Sequence, residues 1–435
     1  MKVAVVGGGS TYTPELIDGF ARLADQVSIT EIVLVDPDQS RLAVVGPFSA
    51  RIMRAYGHPA TVRWTSDLDD GLDGAGAVLL QLRIGGQAAR HRDETWPHKC
   101  GCVGQETTGA GGFAKALRTV PVVLEIAERA RARAAADAWL IDFTNPVGIV
   151  TRALLDAGHR AIGLCNVAIG FQRIFAGMLG VEPQRISLEH VGLNHLTWER
   201  AVLLDGTDVL PDLIAAHGEE LAGLIELPLS VIEQTHSIPS YYLRYFYAHD
   251  QVVSEQLASP TRAEQVAQIE LELLAMYSDP ALDRKPELLG QRGGAFYSEA
   301  AVALLASLVN DTGDTQVVNV RNNGTMPFLP DDAVIEVASV IGRHGATPLG
   351  FAPLSPLMRG LTAHVSAYEE LAVQAARLGG RDRVFEAMLA HPLIGQYDKA
   401  GQLTDLLLAE NAAFLPWADG GADGGSGAPA TASGR

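Results

Sequence analysis

A cysteine and a histidine in separate segments are of the types that bind a divalent metal. Cys165 follows the apolar residues 161–164, and His195 ends the stretch GLNH at 192–195. A thiolate and an imidazole can hold one metal ion together and leave positions open for substrate oxygens. Spacing alone is weak support, because single cysteines and histidines are more often packing residues. From the residues themselves, a metal site and two core side chains both remain open.

The other two cysteines, Cys100 and Cys102, form a C-x-C pair. No second pair follows to complete a zinc site, so we interpret both as structural. Three cysteines are too few for a disulfide scaffold and favour a reducing cytoplasm. The start of the chain at 1–6 is too short for the apolar part of a signal peptide, and no apolar run approaches the roughly 18 residues needed to span a bilayer.

A glycine-rich turn near the start has the composition of a dinucleotide site. Gly7, Gly8, Gly9 and Ser10 follow an apolar strand and precede a helix, where backbone amides can approach a pyrophosphate. Tyr12 occupies the position usually held by the third small residue. Asp36 ends the second strand, where its carboxylate can hold the ribose hydroxyls and repel a 2′-phosphate, which favours NAD over NADP. The alternative is that Asp36 only caps the turn before Pro37.

Alternating strands and helices must position this turn. Apolar runs at 3–6, 31–35, 77–82 and 138–143 predict strands, and helices are predicted at 15–24 and about 115–136. The alternation predicts an α/β fold with a Rossmann-like doubly wound parallel sheet. We assign residues 1–167 to an NAD-binding domain on this basis.

The pattern changes after residue 167. Longer helices are predicted at 264–277 and 362–378, with strands near 185–191 and 316–320, which indicates an α+β domain over 168–418. Residues 419–435 contain Gly, Ala, Ser and Asp with no large apolar side chain, and we expect a disordered tail.

The charge balance excludes some partners. The 435 residues include 33 basic and 51 acidic side chains, a net charge of −18. This composition lacks the basic surface expected of a nucleic-acid binder or of a protein on an anionic membrane. An anionic substrate would need its own arginine or lysine side chains.

Ordered blocks along the chain resemble family 4 of the glycoside hydrolases, within it the NAD- and manganese-dependent branch that acts on 6-phospho-β-glycosides. The resemblance covers about residues 3–412 and rests on these blocks: VVGGGSTYTPEL (5–16), LRIGG (82–86), GQETTGAGGF (104–113), DFTNP (142–146), GLCNV (163–167), GLNHL (192–196), YLRYF (242–246), RGGAFYS (292–298) and NNGTMPFLPDD (322–332). The family departs from the usual pair of catalytic carboxylates. The resemblance also implies a C-terminal domain like that of the lactate and malate dehydrogenase superfamily.

The resemblance implies hydrolysis through a transient oxidation. A hydride passes from sugar carbon 3 to NAD+, the new ketone acidifies the proton on carbon 2, and a tyrosine removes that proton while Mn2+ or another divalent metal holds the sugar oxygens. The aglycone leaves by elimination, water adds at carbon 1, and the hydride returns. A carbonyl and a Lewis acid are what make a carbon 2 proton acidic enough to remove.

Matched positions assign roles to particular residues. The resemblance implies that Cys165 and His195 bind the metal and that Tyr242 is the base, with Arg244 or the metal lowering its pKa. Tyr241 is a rival, because a shift of one residue in the alignment would exchange the two tyrosines.

Substrate contacts follow from the same resemblance. Arg90 and Arg262 match phosphate ligands, and the second reaches across from a neighbouring subunit in the family, which implies a homodimer or homotetramer. Asn145 and Asn166 match contacts to sugar hydroxyls. Asn166 in place of an acidic residue indicates the β-specific branch.

Three other functions compete with this one. A hydroxy-acid dehydrogenase shares the fold but uses no metal, a family member could act on unphosphorylated glycosides, and a non-catalytic sensor could bind NAD or a sugar phosphate. The paired Cys165 and His195 disfavour the dehydrogenase, the two arginines disfavour the second alternative, and Tyr242 disfavours the sensor, which has no use for a base.

Overall fold

One sheet runs through both halves of the chain in the computed structural model, which describes residues 1–294 and 296–418. The tail predicted at 419–435 lies outside the described residues. Thirteen strands are found among the described residues: β1 (Lys2–Val6), β2 (Glu31–Val35), β3 (Thr61–Thr65), β4 (Ala77–Leu80), β5 (Trp139–Asp142), β6 (Ala161–Gly163), β7 (Ile186–Leu193), β8 (Leu196–Leu204), β9 (Thr207–Asp208), β10 (Ile238–Pro239), β11 (Asp314–Arg321), β12 (Val334–Gly342) and β13 (Gly345–Pro348).

Helices pack around this sheet. In the described part of the chain they are α1 (Thr13–Arg22), α2 (Gln39–Ala55), α3 (Leu68–Leu72), α4 (Gly86–Thr95), α5 (Gly109–Arg133), α6 (Val147–Asp156), α7 (Val167–Leu179), α8 (Leu210–Ile225), α9 (Leu229–Thr235), α10 (Arg244–Tyr247), α11 (His249–Ala258), α12 (Arg262–Tyr277), α13 (Leu288–Gln291), α14 (Tyr297–Asn310), α15 (Pro356–Leu378), α16 (Arg381–Ala390) and α17 (Tyr397–Asn411). Within these ranges, no helix combines the length and apolar character needed to cross a membrane.

The first six strands are parallel and lie in the order β3-β2-β1-β4-β5-β6. This is the strand order of a Rossmann-like dinucleotide-binding sheet, so that part of the fold prediction is confirmed. The inner strands are apolar on both faces: all of Val3–Val5 and Ala77–Leu80 are inaccessible to solvent. Ligands of such sheets bind outside the carboxyl ends of the strands, near the point between β1 and β4 where the order reverses.

The remaining strands extend the same sheet in antiparallel fashion. β11 pairs with β6 and with β12, β12 pairs with β7, and β7 pairs with β8. The second half of the chain therefore continues the sheet across β6 instead of forming a separate one. The predicted strands near 185–191 and 316–320 are β7 and β11, whereas β12 was not predicted.

Candidate active site

A cavity of about 310 Å³ lies at the carboxyl ends of β1, β4, β5 and β6, where residues that follow each strand reach its wall. Six of the predicted site residues line it: Ser10, Arg90, Asn145, Asn166, Tyr242 and Arg262. The wall also contains side chains to which the sequence assigned no role, among them Tyr12, Arg83, Glu106, Lys115, Arg292 and Tyr297. Segments far apart in the sequence thus meet in one place.

The glycine-rich turn has the close packing that a dinucleotide site requires. Gly7 has a φ of +87°, and a Cβ there would lie 2.6 Å from the carbonyl oxygen of Gln81. The amide of Gly9 donates to Oδ2 of Asp36 at 3.0 Å, and Oδ1 of Asp36 accepts the amide of Asp38 at 3.0 Å. Asp36 therefore lies beside the turn as expected, although backbone amides use part of its acceptor capacity. The residues present fit NAD, since α1 begins just after the turn.

Residues 292–294, which follow α13, pack against this turn. The sequence did not predict this contact. Arg292 donates from Nε to Oγ1 of Thr11 at 2.7 Å and from Nη2 to Oε1 of Glu270 at 3.0 Å. The hydroxyl of Tyr12 donates to the carbonyl of Gly294 at 2.5 Å. Tyr12, which departs from the usual small residue, thereby ties the turn to this segment. The block RGGAFYS was the available sequence signal.

Cys165 and His195 are both buried, each with 4% of its surface exposed. Burial lowers the pKa of His195 to about 4, so its imidazole is neutral at physiological pH. Its Nδ1 is buried and has no hydrogen-bond partner in the described part of the chain. Burial raises the pKa of the Cys165 thiol, and the charge of Glu336 adds to this effect.

These two residues fit a metal site that substrate completes. An unpartnered imidazole nitrogen and a buried thiol are suitable ligands, and a divalent cation would offset the cost of ionising the thiol. Across residues 1–294 and 296–418, no group of three or more His, Cys, Asp or Glu side chains could hold a metal ion. The arrangement therefore does not fit a closed structural site, whose four ligands come from the protein.

Tyr242 lies directly on the proposed metal ligand. The rings of Tyr242 and His195 stack with centroids 3.6 Å apart and planes 8° apart. Burial raises the pKa of Tyr242 well above its usual range, and the cation that opposes this rise is Arg90. A cation held by Cys165 and His195 would act in the same direction as Arg90.

The expected role of Arg244 is corrected by the structure. Arg244 donates to the hydroxyl of Tyr241 at 2.8 Å and pairs with Glu226 and Glu255. Arg244 therefore interacts with the exposed neighbouring residue Tyr241, and the arginine that acts on Tyr242 is Arg90. This contrast also favours Tyr242 over Tyr241 as the residue that faces the cavity.

The two predicted phosphate ligands reach the same cavity. Arg90 donates from Nε to Glu94 at 2.7 Å and lies 3.2 Å from Glu106. Arg262, the exposed first residue of α12, donates to the carbonyl of Gln291 at 2.6 Å. The resemblance implies that Arg262 comes from a neighbouring subunit, but here it lines the cavity of its own chain. Both predicted phosphate ligands therefore line one cavity of this chain.

A buried carboxylate organises the cations of the cavity. Glu106 accepts from Lys115 at 2.8 Å, pairs with Arg83 and lies beside Arg90. Burial alone would raise the pKa of Glu106, but these three cations hold it well below its usual range. Lys115 lies on the buried start of α5, and a single lysine among apolar residues was the sequence signal for it. The cluster carries more positive than negative charge, which suits an anionic ligand.

Replacing Glu106 should destabilise the protein. We expect Glu106→Gln to lower the free energy of unfolding by about 3–5 kcal/mol, because buried cations lose their shared partner. Urea denaturation followed by circular dichroism measures this change. Glu128→Gln is the matched control, since the Glu128 side chain is 56% exposed and pairs at the surface with Arg131. Equal stabilities of the two variants would contradict the role given to Glu106.

Comparison with known proteins agrees with this geometry. Residues 2–181 match the family described as Family 4 glycosyl hydrolase, and residues 190–394 match the Family 4 glycosyl hydrolase C-terminal domain. A probable 6-phospho-beta-glucosidase of Bacillus subtilis (strain 168) is 37% identical over 431 residues, which cover 96% of this chain and 97% of the relative. The chain belongs to family 4 of the glycosyl hydrolases, and the predicted membership is confirmed.

Solved structures support the fold in the same way. The 6-phospho-beta glucosidase from Thermotoga maritima, solved with manganese, NAD+ and glucose-6-phosphate, has a TM-score of 0.90 and 32% identity, covering 95% of this chain and 99% of its own. Malate dehydrogenase from Plasmodium falciparum, in complex with NADH, has a TM-score of 0.53 at 12% identity, covering 89% and 100%. The second likeness concerns the fold alone, and it agrees with the predicted fold.

Proposed function

We propose that this chain hydrolyses 6-phospho-β-glucosides, such as cellobiose 6-phosphate, with NAD+ and Mn2+ as cofactors. The observation that carries the proposal is that Tyr242 stacks on His195 and also lines a cavity together with Arg90 and Arg262. This arrangement brings a base, a metal ligand and two phosphate-binding groups together. The names of the similar proteins from Bacillus subtilis and Thermotoga maritima support the same substrate class.

The chain's own residues would divide the chemistry as follows. When bound, NAD+ supplies a hydride acceptor for sugar carbon 3 and a divalent metal supplies a Lewis acid for the sugar oxygens. Tyr242 takes the proton from carbon 2 and later returns one, and Arg90 favours the phenolate form that this requires. Cys165 and His195 hold the metal beside that phenol. Gly7, Gly8, Gly9, Ser10 and Asp36 bind the dinucleotide.

The remaining side chains bind and orient the sugar phosphate. Arg90 and Arg262 suit the phosphate because guanidinium groups donate paired hydrogen bonds to its oxygens. Asn145 and Asn166 contact the sugar hydroxyls, and Oδ1 of Asn145 is a buried acceptor without a partner in the described chain. The amide at Asn166, where an acidic side chain would suit α-glycosides, supports the β-anomer.

Domain roles, location and assembly are part of the same proposal. We assign NAD binding to residues 1–167 and substrate, metal and subunit contacts to 168–418. Cys100, Cys102 and Cys165 are all free, which supports a cytoplasmic location. The family resemblance supports a homodimer or homotetramer. The proposal includes no nucleic-acid or membrane partner.

A substrate panel tests the function. The protein is incubated with chromogenic 6-phosphoglucosides and 6-phosphogalactosides of both anomers, NAD+, Mn2+ and a thiol reductant, and then with EDTA. We expect release from the 6-phospho-β-glucoside that stops when EDTA removes the metal. Release of the chromophore that continues unchanged in EDTA would overturn the proposal. Net NADH formation with a hydroxy acid would support the dehydrogenase, and tight NAD+ binding without turnover would support the sensor.

Removing one phosphate ligand should weaken substrate binding selectively. Arg262→Gln is expected to lose about 1.5–3 kcal/mol of glucose 6-phosphate binding, the usual contribution of a hydrogen bond to a charged group. Isothermal titration with glucose 6-phosphate measures the loss, and NAD+ affinity should stay unchanged. Arg284→Gln, which removes an arginine stacked on Tyr56 away from the cavity, is the control. Unaltered sugar-phosphate affinity in Arg262→Gln would remove it from the site.

A further inference from the structure

A buried carboxylate lies where the parallel and antiparallel halves of the sheet meet. Glu336, in the first half of β12, has 1% of its surface exposed. In the strand register, Gly163 of β6 is opposite Asn319 of β11, Asn319 is opposite Glu336, and Glu336 is opposite Gly192 of β7. One row of four residues therefore crosses four strands.

The two ends of this row lead to the two proposed metal ligands. Cys165 follows Gly163 by two residues. On the other side, β7 and β8 are joined by the two-residue turn Asn194–His195, since Leu193 pairs with Leu196. His195 has a φ of 62°, in the left-handed region that is uncommon for residues other than glycine. The distance between the ligands is thus set by the strands that the row connects.

Side-chain contacts fix Glu336 to both sides of the row. Its Oε2 accepts from Nδ2 of Asn194 at 2.9 Å and from Nδ2 of Asn319 at 2.8 Å. Its Oε1 lies 3.0 Å from Nε2 of His190. Asn194 is the residue immediately before His195, so one carboxylate holds the turn that presents the histidine and the strand beside Cys165.

Glu336 also contributes charge. His190 lies between two carboxylates, with its Nδ1 2.5 Å from Oε1 of Glu199. Burial would lower the pKa of His190, but the two carboxylates raise it to about 10, so the imidazole is protonated. Burial opposes ionisation of Glu336, but its hydrogen bonds and the charge of His190 hold its pKa below the usual range, so Glu336 is ionised beside the turn that carries His195.

We infer that Glu336 is a positioning residue of the metal site, which holds Asn194 and Asn319 and places a fixed negative charge behind Cys165 and His195. The inference rests on the proposed function, because it takes these two residues as the ligands. Replacing a group that hydrogen-bonds and orients a metal ligand commonly lowers metal affinity by about 10–100-fold. Glu199 offers a matched comparison, since it contacts the other ring nitrogen of the same histidine.

Manganese titration of the NAD+-saturated protein tests the inference. Free Mn2+ is measured by electron paramagnetic resonance for the wild type and the variants Glu336→Gln, Glu199→Gln and Cys165→Ser. We expect Glu336→Gln to weaken Mn2+ binding about 10–100-fold and Glu199→Gln to bind nearly as the wild type does. Melting temperature and NAD+ affinity show that each variant is folded. Should Glu336→Gln not fold, Asn194→Ser removes a single contact and should weaken Mn2+ binding to a smaller extent.

The possible results distinguish the role inferred for Glu336 from the proposed function. The inference would be overturned if Glu336→Gln bound Mn2+ as tightly as the wild type, or if Glu199→Gln lost Mn2+ binding to the same extent. If Glu336→Gln does not fold, wild-type Mn2+ affinity in Asn194→Ser would overturn it in the same way. In both cases a loss of binding in Cys165→Ser would leave the proposed function standing. Failure of the wild type to bind Mn2+, or full binding by Cys165→Ser, would instead overturn the proposed ligands and the inference with them.

Discussion

Tyr242→Phe is expected to reduce glycoside turnover by about 10²–10⁴-fold, the usual contribution of a positioned general base. The substitution removes the phenol oxygen that is proposed to take the carbon 2 proton and keeps the ring that stacks on His195. Affinities for NAD+ and glucose 6-phosphate should therefore stay close to those of the wild type. Steady-state kinetics with a chromogenic 6-phospho-β-glucoside, together with binding titrations, measure both effects.

Tyr241→Phe is the control for this variant. Its hydroxyl accepts a hydrogen bond from Arg244, and its side chain is at the surface, so its loss should leave turnover nearly unchanged. Full activity in Tyr242→Phe with a large loss in Tyr241→Phe would move the base to Tyr241. Loss of NAD+ or sugar-phosphate binding in Tyr242→Phe would mean that the phenol binds ligand and is not a base.

Cys165→Ser is expected to lower kcat/KM by more than about 100-fold, which corresponds to about 2.7 kcal/mol of transition-state stabilisation. A serine hydroxyl is a poorer ligand than a thiolate for a borderline-soft divalent ion, and the buried His195 alone cannot retain the metal. Activity should no longer saturate at Mn2+ concentrations that saturate the wild type. A titration of rate against Mn2+ gives this result.

Cys102→Ser provides the comparison, because Cys102 is as buried as Cys165 but is not one of the proposed metal ligands. A change caused by burial of a hydroxyl would affect both variants alike, whereas a lost ligand affects only Cys165→Ser. An unchanged Mn2+ dependence in Cys165→Ser would remove this cysteine from the ligand set.

Local signals in the sequence predicted the nucleotide half of the fold well. The strand predicted at 31–35 is β2, and the glycine-rich turn lies where the first strand and the following helix require it. Such features depend on short-range patterns of apolar residues and glycines, which a single sequence displays directly. The helix predicted at 115–136 begins earlier, at Gly109, because its first turn is made of small residues that carry little periodic signal.

The site was predicted only in part. The roles of Cys165, His195 and Tyr242 came from the family resemblance, since spacing alone left open whether the first two are metal ligands or core residues. The contacts that complete the site join distant segments: Arg292 meets Thr11 across 281 positions, and Glu336 meets His190 across 146. Pairings over such distances depend on strand register and on how helices pack, which no local pattern encodes.

In the proposed mechanism, hydrolysis proceeds by removal and return of the carbon 2 proton at Tyr242. Running the reaction in D2O tests it directly, with the glucose 6-phosphate product examined by nuclear magnetic resonance. Since the phenol of Tyr242 lines an open cavity and can exchange its proton with solvent, we predict deuterium at carbon 2 of the product. Complete turnover to a product that keeps protium at carbon 2 would contradict removal of that proton and would indicate direct displacement at carbon 1.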